Sequence, residues 1–157
     1  MQIKKLTALL VTALTVVALS GCSLSRNVSS LDPYSPSDGV ISDIGSLKAR
    51  NLLFIKSDGP QAVLIGSFVN SSDTAISANI QTVDQDNNRT IYKFEVGPKA
   101  KYDLGYGGNV GILLEIAEGP GSMHTIFVSD GMNPIQMAVP VLDGSLAEYR
   151  PFLELLN

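Results

Sequence analysis

Four side chains in the last third of the chain have the softness to hold a copper ion: Met123, His124, Met132 and Met137. Thioethers and a neutral imidazole suit copper in an exported protein. Their spacing speaks against a joint site. Met123 and His124 are neighbours in a run that reads as a strand, where adjacent side chains point to opposite faces. The other two methionines stand nine and fourteen residues beyond Met123. Strand surface and core are therefore the expected places for these residues.

A second constellation offers hard oxygen ligands. Asp84, Asp86, Asn88 and Glu95 fall at positions 1, 3, 5 and 12 of a calcium loop, with Ile91 at position 8. Such a loop requires Gly at position 6 for its sharp turn. Arg89 stands there, and the flanks alternate like strands, so a hairpin turn accounts for the same residues. Gly105-Tyr106-Gly107-Gly108-Asn109-Val110-Gly111 has the glycine content of a phosphate loop. No helical pattern follows to aim N–H groups at a phosphate, and these glycines are expected to bend the chain between strands. The lone histidine gives the serines one possible base, and none of them sits on a strand-to-helix elbow. The expected class is a non-enzyme without a cofactor.

The remaining reactive group is a thiol. Cys22 is the only cysteine, and it closes Leu19-Ser20-Gly21-Cys22 after a basic start (Lys4, Lys5) and an apolar run from Leu6 to Leu19. That is the layout of a secretory signal peptide. It ends in the bacterial lipobox pattern, in which the thiol takes a diacylglycerol and cleavage makes Cys22 the N-terminus. The apolar run is shorter than the roughly 20 residues a spanning helix needs. The expected organisation is a signal peptide over 1–21, a lipidated tether with an extended segment over 22–46, and a domain over 47–157. The expected location is the outer face of the bacterial plasma membrane, with the bilayer bound through diacylated Cys22. Two acyl chains anchor stably where one is marginal.

Cleavage before Cys22 leaves 136 residues, and losing Lys4 and Lys5 takes the net charge from −4 to −6. So acidic a domain lacks the basic face that displaces counterions, and nucleic acid is not an expected partner. With Cys22 alkylated, disulfides and thiol chemistry are excluded.

The elements that must position these groups are strands. Leu52-Leu53-Phe54-Ile55 ends at Ser57-Asp58-Gly59-Pro60, and Ala62 to Val69 is an apolar run closed by Asn70-Ser71-Ser72-Asp73. Ala75 to Val83 and Thr90 to Glu95 alternate across the turn at 84–88. Shorter runs follow over 101–106, 110–116, 124–129 and 135–142. Short β-rich runs with Gly, Pro, Asn and Asp between them predict an antiparallel sandwich or barrel. Only Leu146 to Leu156 has room for a helical turn, and Pro151 is expected to interrupt it. Ahead of the strands, Pro33-Tyr34-Ser35-Pro36-Ser37-Asp38-Gly39 is stiffer than a Gly/Ser spacer. The stretch 31–46 either continues the tether or packs on the domain or on a partner, with Pro33, Tyr34 and Pro36 as the candidate partner contacts.

Taken together, these marks resemble the periplasmic copper-chaperone family PCu(A)C, and more closely the actinobacterial lipoproteins of the LpqE type. The resemblance covers roughly 47–142. It rests on Val63 to Asp73, on Val96-Gly97-Pro98 before the glycine-rich corner, and on Val139-Pro140-Val141. The lipobox and the Pro33 to Val40 segment add the lipoprotein marks. The fold this implies is an all-β, cupredoxin-like or immunoglobulin-like antiparallel β-sandwich.

Copper-binding members carry a His and a Met in the strands before the corner and Gly-Gly-Tyr-His-Leu-Met at it. Here Gly107-Gly108-Asn109-Val110-Gly111-Ile112 stands there, with Val110 and Ile112 in the ligand slots, and Asn79 to Val96 holds neither His nor Met. Copper delivery by the family's mechanism is not expected. The resemblance implies instead an accessory or assembly subunit of the respiratory cytochrome bc–cytochrome oxidase supercomplex. The competing reading is a periplasmic copper chaperone for cytochrome oxidase, with a non-standard site built from Met123, His124, Met132 and Met137.

Overall fold

The computed structural model describes residues 34–83, 88–132 and 134–156. Cys22, Pro33, Asp84, Asp86 and the stretch expected to be a signal peptide lie outside them. The chain divides into units Met1–Tyr34 and Ser35–Asn157. The second holds nine strands: β1 (Val40–Ile44), β2 (Leu47–Lys56), β3 (Gln61–Asn70), β4 (Ile76–Val83), β5 (Arg89–Val96), β6 (Lys101–Leu104), β7 (Ile112–Glu115), β8 (Met123–Ser129) and β9 (Ile135–Leu142). A short helix, α1 (Arg150–Leu153), and a 3-10 turn (Glu154–Leu156) follow. The all-β expectation holds. Among the described residues no helix is long and apolar enough to cross a membrane.

Strand order runs β5-β4-β8-β9-β2-β3-β6, with β1 also on β2 and β7 also on β3. The strands make one mixed sheet, nearly closed into a barrel. All pairs are antiparallel except β2 with β9, which run parallel over Phe54↔Val141 and Ile55↔Leu142. The open junction lies between β5 and β6/β7. Among the described residues no backbone ladder spans it, and side chains close it instead. Phe94 stacks on Tyr102 at 4.6 Å and takes Phe68 edge-on at 5.0 Å, while the Tyr92 hydroxyl donates to the Leu113 carbonyl at 3.3 Å.

Strand β2 carries a bulge that decides which side chains face inward. Arg50 pairs with Ser67 and Leu53 with Ile65, so β2 spends three steps where β3 spends two. Asn51 takes a left-handed φ of 51° and Gly66 a φ of 147°. A Cβ on Gly66 would lie 2.6 Å from Leu52 Cδ2 and 2.8 Å from the Asn51 carbonyl oxygen, so only glycine fits opposite the extra residue. The inserted residue switches parity. Leu47 and Ala49 face the main core before it, Leu52 and Phe54 after it.

Beyond the bulge both faces of β2 and β3 are buried. Leu52, Phe54, Ala62 and Leu64 enter the main core, while Leu53, Ile55, Val63 and Ile65 form a second core under Tyr149 and Phe152. This is why both runs read as continuously apolar rather than alternating. Two expectations change here. Pro151 occupies the first turn of α1 rather than interrupting it, since a first-turn residue has no intrahelical partner for its N–H. Residues 40–44 pair with β2, so that part of the open stretch 31–46 packs on the domain.

Candidate functional site

The one histidine is the centre of a buried polar cluster on the inner face. Inward parity on β8 buries His124 to 6 % exposure together with Ile126 and Val128, opposite Met137 and Val139 of β9. Both ring nitrogens are engaged. Nε2 lies 3.1 Å from the Thr82 hydroxyl on β4, and Nδ1 lies 2.8 Å from Glu118 Oε2 in the loop before β8. Phe54 closes the ring edge-on at 5.3 Å. At the same end of the barrel the buried Lys56 ammonium donates to the carbonyls of Ile116 and, at 3.0 Å, Glu118. A buried ammonium requires such acceptors, and these fasten the 116–122 loop.

Hydroxyl, imidazole and carboxylate stand in the order of an acyl-transfer triad. The hydroxyl is the weak point of that chemistry, because Thr82 is only 7 % exposed on the inner face of the barrel. The relay instead satisfies a buried imidazole and ties three elements together. Sequence reasoning missed Thr82, Glu118 and Lys56. Thr82 alone was signalled, since it continues the inward parity of Ala78 and Ile80.

Burial alone would raise the Glu118 carboxyl. Its own backbone N–H, the His124 ring and the Lys56 charge outweigh burial and hold it below the ordinary glutamate range. A depressed carboxyl contributes stability above its unfolded pKa and loses it as pH falls through the folded value. Glu118→Gln should therefore be less stable than the parent at neutral pH. In urea melts across a pH series, the gap should narrow as pH falls from the ordinary glutamate range through the lower folded Glu118 value. A gap that is constant with pH would mean that the carboxylate charge is irrelevant.

The four candidate soft ligands are not brought together. Met123 is 49 % exposed at the start of β8 and Met132 is 77 % exposed beyond its far end. At about 3.4 Å per residue the strand alone separates them by roughly 20 Å. Met137 and His124 point into the core between them. The calcium pattern is likewise dispersed. Val83 pairs with Arg89 and Ser77 with Glu95, so the ladder carries Glu95 six residues away from the turn. The glycine corner bends between β6 and β7 as expected, with φ of 85° at Gly105, 62° at Gly107 and 90° at Gly108. Val110 is exposed there and Ile112 is buried. Of the candidate partner contacts, Tyr34 and Pro36 are exposed.

Asn70 joins two of the motifs that carry the family resemblance. It is 1 % exposed. Its amide nitrogen donates to the carbonyls of Thr74 (2.7 Å), Val96 (3.0 Å) and Gly97 (3.0 Å). Its amide oxygen accepts from the Ser72 backbone (2.8 Å) and hydroxyl (2.7 Å). One side chain thus pins the turn after β3 to the end of β5.

No protein-family model and no curated protein matches the chain. Among solved structures it is similar to the copper-bound PCuAC domain from PmoF2, with 13 % identity, a TM-score of 0.51, and coverage of 66 % of this chain and 98 % of that one. The likeness is one of fold. It joins the nearly closed all-β architecture to the PCuAC type, the fold that the strand pattern and the corner motifs imply.

Proposed function

We propose that this chain is a non-catalytic accessory or assembly subunit, held on the outer face of the bacterial plasma membrane by a diacylated Cys22. Its partner on this reading is a membrane complex, the respiratory cytochrome bc–cytochrome oxidase supercomplex. The observation that carries the non-metal role is the state of His124, whose two nitrogens are occupied by Thr82 and Glu118. To ligate copper the imidazole must give up one of these bonds inside the barrel, and Met123 and Met132 are too far apart to join it. The lipobox pattern supports the anchor, which raises the domain's effective concentration at a membrane partner.

The copper-chaperone reading is favoured by one finding, the copper-bound state of the PCuAC domain from PmoF2. Purifying the lipidated protein in mild detergent through a C-terminal tag separates the two. Haem b, c and a spectra with oxidase subunits in the eluate are the expected result. A clean protein carrying copper and no haem would overturn the proposal.

A further inference from the structure

Three segments distant in sequence meet on the outer face of β2 and β3. The strap Ser35–Gly39 enters first. Its Gly39 N–H donates to Asn51 Oδ1 at 2.8 Å, and its Asp38 carboxylate accepts from the Tyr149 hydroxyl at 2.8 Å. The glycine corner lies beside it, where a Cβ on Gly105 would sit 2.6 Å from Ile65 Cγ2 and the Tyr106 ring meets Phe152 edge-on at 5.2 Å. The C-terminal segment covers both, seating Tyr149 and Phe152 in the second core.

This cap turns several large apolar side chains outward. Tyr106 and Val110 of the corner and Leu146 and Leu155 of the C-terminal segment are all exposed. Glu148 and Glu154 are exposed among them, and Glu148 is close enough that its charge, added to burial, raises the Tyr106 phenol. Scattered single apolar residues need no explanation, whereas apolar residues on the segments of one cap, with two carboxylates against the single exposed cation Arg150, fit an interaction surface.

We propose that this cap face is the docking surface for the membrane complex named above, and that the partner presents an apolar patch rimmed by lysine and arginine. The inference rests on the accessory-subunit reading. Covering Glu148 and Glu154 with a neutral surface would strand two carboxylates, and opposite charge on the partner removes that cost. The anionic headgroups of a membrane would repel them, which argues against lipid as the occupant. The position suits an anchored partner as well. Cys22 and Ser35 are thirteen residues apart, at most about 45 Å at full extension, and Ser35 enters the fold one turn from the Asp38–Tyr149 bond.

The test places a photo-crosslinking benzoylphenylalanine at Val110 or Leu155 of the full lipidated chain in native membranes, with Lys93 on β5 and Thr125 on β8 as comparison positions. Protein adducts are expected from the cap positions, on peptides rich in Lys and Arg. The double variant Glu148→Lys with Glu154→Lys should lower their yield about tenfold without altering the melting temperature. Undiminished adducts in that variant would overturn the basic rim. Adducts from Lys93 or Thr125 alone would overturn the cap while leaving the accessory reading in place. Adducts to lipid alone would overturn the protein partner, and no adduct from any position would overturn the cap and the accessory reading together.

Discussion

Replacing Asn70 by aspartate should remove a large share of the domain's stability at neutral pH, although the side chain keeps its shape. The amide nitrogen of Asn70 faces three carbonyl oxygens in a site that is 1 % exposed. Aspartate puts a carboxylate oxygen there, so three donated bonds become three repulsions, and the buried charge keeps only the Ser72 N–H and hydroxyl as donors. Stranding a buried charge costs about 3–5 kcal/mol, against a total stability of about 5–15 kcal/mol for an ordinary domain. The carboxyl can escape only by taking a proton, which raises its folded pKa. The deficit relative to the parent should therefore shrink as pH falls through that raised value, whereas the deficit of Asn70→Leu should not change with pH. Urea melts of both variants between pH 7 and pH 4 read the difference. Parallel pH profiles would mean that the amide is not the joint described.

The second large effect is expected at the cap. Phe152→Ala removes the ring that closes the second core over Leu53, Ile55, Val63 and Ile65. Truncating a buried phenylalanine costs about 3–5 kcal/mol, and the lower end applies where one side of the site can collapse from solvent. Among the described residues the main core draws none from the C-terminal segment. The loss should accordingly appear as local opening. Amide exchange should quicken in 145–156 and along β2 and β3 beyond the bulge, while the β4–β8 ladder stays protected. A uniform rise in exchange across both cores would show that the cap and barrel unfold as one cooperative unit.

The strand pattern was legible because solvent and core impose a two-residue period. Ile76, Ala78 and Ile80 alternate with Ser77, Asn79 and Gln81, and the observed β4 keeps that parity through Thr82. The turn at 57–60 and the break after Asn70 were equally plain, being written in residues that favour turns. What stayed hidden depends on pairings between distant segments. The bulge at Asn51 leaves no local mark, since its glycine counterpart sits fifteen residues later on another strand. The partners of His124 come from residues 42 and 6 positions away, so a lone histidine could be placed on the inner face but not given its bonds. The cap was misread for a different reason. A proline inside a short apolar stretch reads as a breaker until the helix start is known to lie just ahead of it.

The Asp38–Tyr149 bond gives the two ends of the folded unit a shared load path. β1 lies antiparallel on β2, so a pull on Ser35 directed away from the barrel would by itself unzip the ladder one rung at a time from Val40. Tension arriving at Ser35 reaches Asp38 and Gly39 before it reaches that ladder, and these residues hand it to Tyr149 and Asn51. The first parts strained are thus the C-terminal segment and the bulge of β2, ahead of the β1–β2 ladder. Traction at the N-terminal side and seating of Phe152 become one mechanical variable, and the β1–β2 ladder is shielded until both bonds have given way.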